Sequence, residues 1–317
     1  MSHADDSLML LCGTAHPELG RRIALEVGIP LTQMAVTRFA DGEFDVKIAA
    51  SVREHDVFLI QPTCHPVNST YMELFIILDA LRRASAARIN AVIPYYGYAR
   101  KEKKTQPRDP ISAKLMANFV QVAGAQRVIA LDLHAEAIQG FFDIPVDSLT
   151  ASKILARHIQ ERHPEDTLVV VSPDVGGTAR ARSIARRLDR PLAIIDKRRP
   201  RDDDVEIVNV IGEVEGCRCV VVDDLVGTGA TLAGAAHALR SKGARSVDVL
   251  ATHGVLAEGA LERLSDAPID EVVVTDSIPL PTGATRFPKL RQISVAPLIA
   301  EAIVRVHEGR SVSELFR

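Results

Sequence analysis

The residues best suited to chemistry follow one apolar run. Cys219 and Val220 to Val222 lead into Asp223-Asp224-Leu225-Val226-Gly227-Thr228-Gly229-Ala230-Thr231. Two adjacent carboxylates suit sugar hydroxyls or a metal. Gly227 and Gly229 let the backbone approach an anion closely, while Thr228 and Thr231 add hydroxyl donors. The spacing from Leu232 to Leu239 is helical, so the amide-rich start of a helix points at the same place. Together these features read as a sugar-phosphate site at the carboxyl end of a buried parallel strand, where open α/β sheets bind ligands. The plainer alternative is an acidic strand end with a tight turn into a helix.

Four other groupings carry charge or metal-ligand chemistry. Asp132 and His134 are two apart at the end of the strand-like Val128 to Leu131, a spacing that puts both side chains on one side of an extended chain. They could hold a divalent cation or simply hydrogen-bond locally. Asp174, Gly176 and Gly177 precede a helix carrying Arg180 and Arg182. Lys197, Arg198 and Arg199, with Arg201, follow the strand-like Ile194-Ile195 and form either a mobile loop able to close over a phosphoryl group or a charged hairpin tip. Arg100-Lys101-Glu102-Lys103-Lys104, with Arg108, is a second basic cluster suited to a polyanion such as a nucleoside triphosphate. Asp41-Gly42-Glu43 followed by the alternating Phe44 to Ile48 predicts a hairpin.

The elements that position these residues are written twice. Leu10 to Thr14 before a helical stretch from Glu18 to Val27 is echoed, about 160 residues later, by Val170 to Asp174 before Ala179 to Leu188. Val57 to Gln61 before Ser69 to Arg83 parallels Val220 to Asp223 before Leu232 to Ser241, and Ile89 to Ile93 parallels Val247 to Leu250. This order predicts two duplicated α/β domains, residues 1–150 and 151–317, each with a mainly parallel sheet flanked by helices. The final apolar stretch, about 296–317, is free to pack back on the first domain. Only the second copy has the acidic sugar-phosphate loop; Gln61 to Pro66 takes its place in the first.

Composition sets the class. The 317 residues are 47% hydrophobic and 25% charged with net charge −3, values of a globular protein long enough for two cores. The acidic balance argues against a general nucleic-acid binder. No apolar run approaches a membrane span, and the polar start is unlike a signal peptide, so the expected location is the cytoplasm. Cys12, Cys64, Cys217 and Cys219 have neither zinc nor redox spacing and read as reduced thiols.

Phe39 to Glu43, Pro94 to Arg100, Leu131 to His134, Ile138 to Asp147, Ser172 to Gly177 and Asp196 to Pro200, extended by Thr252 to Leu256, Val274 to Leu280 and Ser311 to Phe316, occur in an order that resembles the ribose-phosphate pyrophosphokinase family, of the phosphate-regulated class. The resemblance implies two phosphoribosyltransferase-like domains, the first serving ATP and assembly and the second ribose 5-phosphate. It implies a homohexamer, Mg2+ as cofactor, and transfer of the β,γ-pyrophosphoryl group of ATP to ribose 5-phosphate.

By position, Lys197 and Arg199 would be catalytic. Asp41, Gly42, Glu43, Arg100 and Lys101 would meet ATP, some from a neighbouring subunit. Asp223, Asp224, Gly227, Thr228, Gly229, Ala230 and Thr231 would hold ribose 5-phosphate, and His134, Asp174 and Asp132 the metal, with weaker support for Asp143 and Asp147. Arg108, Ser311, Ser313 and Phe316 match a regulatory pattern for inorganic phosphate or ADP.

The chain departs from the family pattern at three places: Gly227 replaces an Asp, Lys101-Glu102 replaces Gln-Asp, and Pro107 replaces a Ser. The first bears on sugar binding, the second on the nucleotide and the third on the phosphate response, since proline has no hydroxyl or amide hydrogen to donate. Two other readings remain: a non-catalytic or weakly active regulatory paralogue of the synthetase, supported by Gly227 and Lys101, and a phosphoribosyltransferase, which shares the acidic loop but not the basic 196–199 segment.

Overall fold

The computed structural model describes residues 7–164, 167–198 and 207–316. It divides into two units, Met1–Thr150 with Ser277–Pro279 and Ser294–Arg317, and Ala151–Asp276 with Leu280–Ile293.

The first unit runs β1 (Leu8–Cys12), α1 (Pro17–Val27), β2 (Met34–Arg38), β3 (Phe44–Ile48), β4 (Asp56–Ile60), α2 (Val67–Arg83), β5 (Arg88–Ile93), α3 (Ser112–Ala123), β6 (Arg127–Leu131) and β7 (Val146–Leu149). Its main sheet has the order β1-β4-β5-β6-β7, and every pairing is parallel. Both sheet faces are buried, as the continuous apolar runs require. Val57, Leu59, Ile89, Ala91 and Ile93 pack with Leu74, Ile77, Leu78 and Leu81 of α2, while Phe58, Ile60 and Val92 are buried on the other face. The expected hairpin is present: β2 and β3 pair antiparallel, and Asp41 Oδ1 accepts the Glu43 amide at 3.2 Å across a turn in which Gly42 takes φ 95°. The helix read from Glu18 starts one residue earlier, because Pro17 is pre-set for a first turn and His16 Nδ1 accepts the Leu19 amide at 3.3 Å.

The second unit runs α4 (Ser152–Arg162), β8 (Leu168–Ser172), α5 (Thr178–Leu188), β9 (Leu192–Arg198), β10 (Ile207–Ile211), β11 (Arg218–Leu225), α6 (Ala230–Ser241), β12 (Ser246–His253), α7 (Ala260–Asp266), β13 (Glu271–Thr275) and β14 (Leu290–Ile293). The chain then enters α8 (Ala296–His307), which belongs to the first unit and packs on α1. The second sheet has the order β10-β9-β8-β11-β12-β13-β14. Its run β8-β11-β12-β13-β14 repeats the order of the whole first sheet. In both units a helix and an antiparallel strand pair separate the first two strands of the repeat. That pair stands apart as β2–β3 in one unit and extends the sheet edge as β9–β10 in the other.

The repeat reaches individual polar residues. Asp56 lies opposite Leu8, as Arg218 lies opposite Leu168. In the first unit the buried Asp56 carboxylate accepts from Arg88, from Asn90 Nδ2 at 2.8 Å and meets His307 Nδ1 at 2.7 Å. In the second, Arg218 Nη1 bonds Asp248 Oδ2 at 2.7 Å, with His163 Nε2 at 3.6 Å. Asn90 and Asp248 correspond in register, and each histidine ends the equivalent helix, α8 or α4. Charge has been exchanged between strands while the link from helix end to sheet is kept.

One expectation is corrected by the ladder. Lys197 and Arg198 do not follow the strand: β9 extends through them, with Lys197 opposite Val208 and Arg198 opposite Ile207 of β10. An antiparallel partner continues the hydrogen bonding past the apolar residues, so the polar part of the strand carries no alternation signal of its own. Arg199 and Arg201 lie outside the described residues, as does the Lys197 side chain.

Removing the Asp56 carboxylate leaves buried Asn90 and His307 donors without their acceptor. Asp56→Ala is expected to lower the unfolding free energy by about 2–4 kcal/mol. Glu18→Ala, which breaks only exposed pairs with Arg21 and Arg22, should cost less than about 1 kcal/mol. Urea unfolding of the two variants checks the contrast.

Candidate active site

Strand β11 is covered on both faces, with Val220, Val221 and Val222 fully buried, so beyond Arg218 at its start polar groups emerge only towards its carboxyl end. Asp224 is 4% exposed and Asp223 is half-buried. The Asp224 amide donates to Asp223 Oδ1 at 2.8 Å. Arg180 Nη1 approaches Asp224 Oδ1 at 3.5 Å and Asp223 Oδ1 at 3.8 Å. Burial pushes the Asp223 carboxyl up to about 7, and hydrogen bonding with and repulsion from Asp224 push the same way; Arg180 pulls against them.

The following loop is held by its carbonyls. The Val226 amide donates to His253 O at 2.8 Å, Leu256 N to Val226 O at 2.8 Å and Ala257 N to Gly227 O at 3.1 Å, and Arg263 bonds Thr228 O. Among the described residues, the amides of Gly227, Thr228, Gly229, Ala230 and Thr231 meet no protein acceptor. Gly229 takes φ 75°, and a Cβ there would stand 3.1 Å from Leu264 Cγ, so the turn needs glycine. Ala233 N to Gly229 O, 2.9 Å, opens α6. Loop amides and the helix start thus form a set of open donors, flanked by the exposed Thr228 and Thr231 and suited to a phosphate.

The other candidates are placed by their own loops. Asp174 is exposed after β8; its Oδ1 accepts the Gly177 amide at 2.7 Å and its carbonyl accepts from Ser172 Oγ at 2.7 Å. Strand β6 stops at Leu131, and Asp132 turns left-handed at φ 39°, with its amide bonded to Leu149 O at 2.9 Å. The same-side argument for Asp132 and His134 therefore fails as strand geometry. An alternation of burial nevertheless survives, with Leu133 buried, Asp132 half-buried and His134 exposed. Asp143 is exposed, whereas Asp147 is engaged by Arg127 at 2.5 Å, a use the sequence did not disclose.

Among the described residues, no three His, Cys, Asp or Glu side chains are grouped to hold a metal ion. Mg2+ still fits the donor types, because it is held by one or two carboxylates together with substrate phosphates and water.

Asp41, Gly42 and Glu43 are exposed at the hairpin tip, and Arg100 is exposed. Lys101 bonds Asp109 at 3.2 Å. Asp109 also accepts from Thr105 and Gln106, and these bonds, led by the Thr105 hydroxyl, hold its carboxyl down to about 2. Arg108, at φ 70°, lies in the same exposed loop. Ser311 accepts from Arg305 Nη1 at 2.9 Å through its carbonyl, and Ser313 is exposed; the Phe316 side chain lies outside the described residues. Arg263 is a group at the loop that motif reading passes over, and motif reading places Arg180 only on the helix after Gly176-Gly177, without a link to the acids. Neither lies inside an acidic or glycine-rich motif, and only helix packing brings them there.

A doubly covered parallel sheet with an acidic pair and a Thr-Gly-Ala-Thr turn at the carboxyl end of a central strand defines a phosphoribosyltransferase-like protein. Residues 8–124 match the N-terminal domain of ribose phosphate pyrophosphokinase, and residues 203–317 match the phosphoribosyl synthetase-associated domain. The chain is 52% identical over 316 residues to a ribose-phosphate pyrophosphokinase of Caldanaerobacter subterraneus subsp. tengcongensis, covering 100% of both chains. It is also 52% identical to one of Listeria ivanovii, covering 98% of each. A crystal structure of phosphoribosylpyrophosphate synthetase from Mycobacterium smegmatis superposes with TM-score 0.91 at 44% identity, covering 96% of this chain and 100% of that one. The chain belongs to the ribose-phosphate pyrophosphokinase family.

The raised carboxyl of Asp223 has a stability consequence. Between the ordinary aspartate value and about 7, the folded state holds a proton that the unfolded state has released, so this group's contribution falls as pH rises through that window. Asp223→Asn is expected to gain stability relative to wild type from pH 4 to 7, by more than about 1.4 kcal/mol, the worth of one pKa unit. Urea unfolding across that range checks the sign.

Proposed function

We propose that the chain transfers the β,γ-pyrophosphoryl group of MgATP to the anomeric hydroxyl of ribose 5-phosphate, giving phosphoribosyl pyrophosphate and AMP. The observation that carries this reading is the pairing of Asp223 and Asp224 with the open amides of Gly227 to Thr231. The carboxylates accept from ribose hydroxyls, while the amides and the Thr228 and Thr231 hydroxyls take the 5-phosphate. The oxygen of the anomeric hydroxyl attacks the β-phosphorus and its proton passes to water, while the bond from that phosphorus to the α,β-bridging oxygen breaks and AMP leaves with that oxygen. Positioning and charge neutralisation supply most of the acceleration in such transfers.

Lys197 and Arg199 are proposed to neutralise the charge that develops on the transferred group. Asp41, Gly42, Glu43, Arg100 and Lys101 are proposed for ATP. His134, Asp132 and Asp174 are proposed for Mg2+, with Asp143 secondary and Asp147 weakened as a ligand by its bond to Arg127. When bound, Mg2+ screens the phosphate oxygens and orients them. Arg108, Ser311, Ser313 and Phe316 are proposed for inorganic phosphate or ADP, with a response altered by Pro107.

The cytoplasm is the proposed location; no helix among the described residues is long and apolar enough to cross a membrane. A homohexamer is the proposed assembly. Its support is an apolar face on α3, where Leu115 is 47%, Phe119 44% and Val122 72% exposed, with Met72 at 51% on α2, the helix that packs on α3.

Phosphorus NMR of the protein with Mg2+, ATP and ribose 5-phosphate, with and without inorganic phosphate, should show AMP and a pyrophosphorylated sugar rising together. Their absence at every phosphate level would favour the regulatory paralogue. Lys197→Ala should lower turnover about 10²–10³-fold, as loss of a transition-state donor does elsewhere. Leu115→Asp with Phe119→Asp should shift sedimentation to smaller species, and an unchanged profile would remove that face from assembly.

A further inference from the structure

Arg180 is the third residue of α5, a helix that packs on β8 and β11. Its guanidinium addresses both carboxylates from one nitrogen, at 3.5 and 3.8 Å. These separations are longer than a strong N–H···O bond, so the group acts through charge more than as a bidentate clamp. The Arg180 side chain is 22% exposed, against 19% for Asp223 and 5% for Asp224, so water screens the cluster weakly. Two adjacent carboxylates in such a place resist ionising together unless a cation stands by them.

The state of the pair matters to a sugar. A ribose diol arrives with donors, and an ionised carboxylate only accepts, whereas a protonated one also presents a hydrogen. We infer that Arg180 is a positioning residue that favours the ionised form of the Asp223–Asp224 pair and orients it to accept from the vicinal hydroxyls of the sugar phosphate. This inference rests on the functional reading above and adds to it a residue that sets sugar affinity and its pH dependence. Asp223 responds to its own burial, to Asp224 and to Arg180. Removing the cation leaves only the influences that favour the protonated acid, apart from the Asp224 amide bond.

The test compares Arg180→Gln and Arg180→Lys with wild type and with Arg186→Gln, an exposed substitution on the same helix. Arg180→Gln should raise KM for ribose 5-phosphate about 10–100-fold with a smaller change in kcat and no change in KM for ATP. The acid limb of kcat/KM for the sugar should move to higher pH by about one unit. Arg180→Lys, which keeps the charge, should stay within about threefold of wild type, as should Arg186→Gln.

An unchanged sugar KM and acid limb in folded Arg180→Gln would overturn the inference, as would equal losses for ATP and sugar. If Arg180→Gln does not fold, Arg180→Lys decides: a folded lysine variant with a wild-type acid limb supports the charge role, and one whose limb moves by a unit or more overturns it. Wild-type protein that makes no product refutes the functional reading itself. Wild-type turnover with an unaffected Arg180→Gln refutes only the role of Arg180.

Discussion

The covering of β11 on both faces is the constraint from which the site follows. Between Arg218 at its start and the acids near its end, β11 presents no polar side chain, with Val220 to Val222 fully buried. Its acids are therefore confined to the last positions, where the neighbouring strands also end and the chain must turn. Placing Asp224 there still leaves it almost fully buried, so the pair carries a desolvation cost at the edge of the core. Arg180 partly offsets that cost, and the turn of Gly227 to Gly229 then supplies donors where the acids supply only acceptors. Charge, turn and helix start are thus consequences of one covered strand.

The same topology occurs in the first unit, where the turn after β1, the counterpart of the turn after β8, is closed from within. At the end of β1, Glu73 of α2, itself 2% exposed, accepts from the Thr14 amide and the Thr14 hydroxyl, both at 2.6 Å. Gln61, fully buried, accepts from the Ala15 amide at 3.3 Å. The approach is so close that a Cβ on Gly13 would fall 2.3 Å from Gln61 Oε1. An internal carboxylate and amide occupy donors that an external anion would otherwise use. At the corresponding turn after β8, Asp174 is exposed and caps its own loop. Duplication gave two strand ends of like geometry, and side-chain occupancy fills one and leaves the other open.

Features carried by short-range pattern were legible before the fold was known. The apolar runs of β1, β4, β5, β8, β11 and β12, the Asp-Gly hairpin turn and the acidic loop each depend on residues adjacent in sequence. What escaped depends on partners distant in sequence. Strand β9 reaches Arg198 because β10 pairs with it. Asp132 turns left-handed at the end of β6 even though its amide still bonds Leu149 O in the β6–β7 ladder. Asp147 meets Arg127 across a parallel pair, and Arg180 meets the acids only through the packing of α5 on β11. Each is a tertiary choice among local conformations that sequence periodicity leaves equally open.

The departure at Gly227 acquires a physical meaning from the charges around it. Asp223 is already drawn up to about 7 by burial and by Asp224, with Arg180 pulling against both. A third carboxylate four residues on, in the same turn, would add like charge to a pair that already resists full ionisation. Glycine adds none, and its carbonyl accepts from the Ala257 amide at 3.1 Å, which keeps the turn in place. The loop therefore retains its donor set while giving up one acceptor. In the proposed reading the consequence falls on how many sugar hydroxyls the acids can engage, while the backbone donors of the turn are untouched.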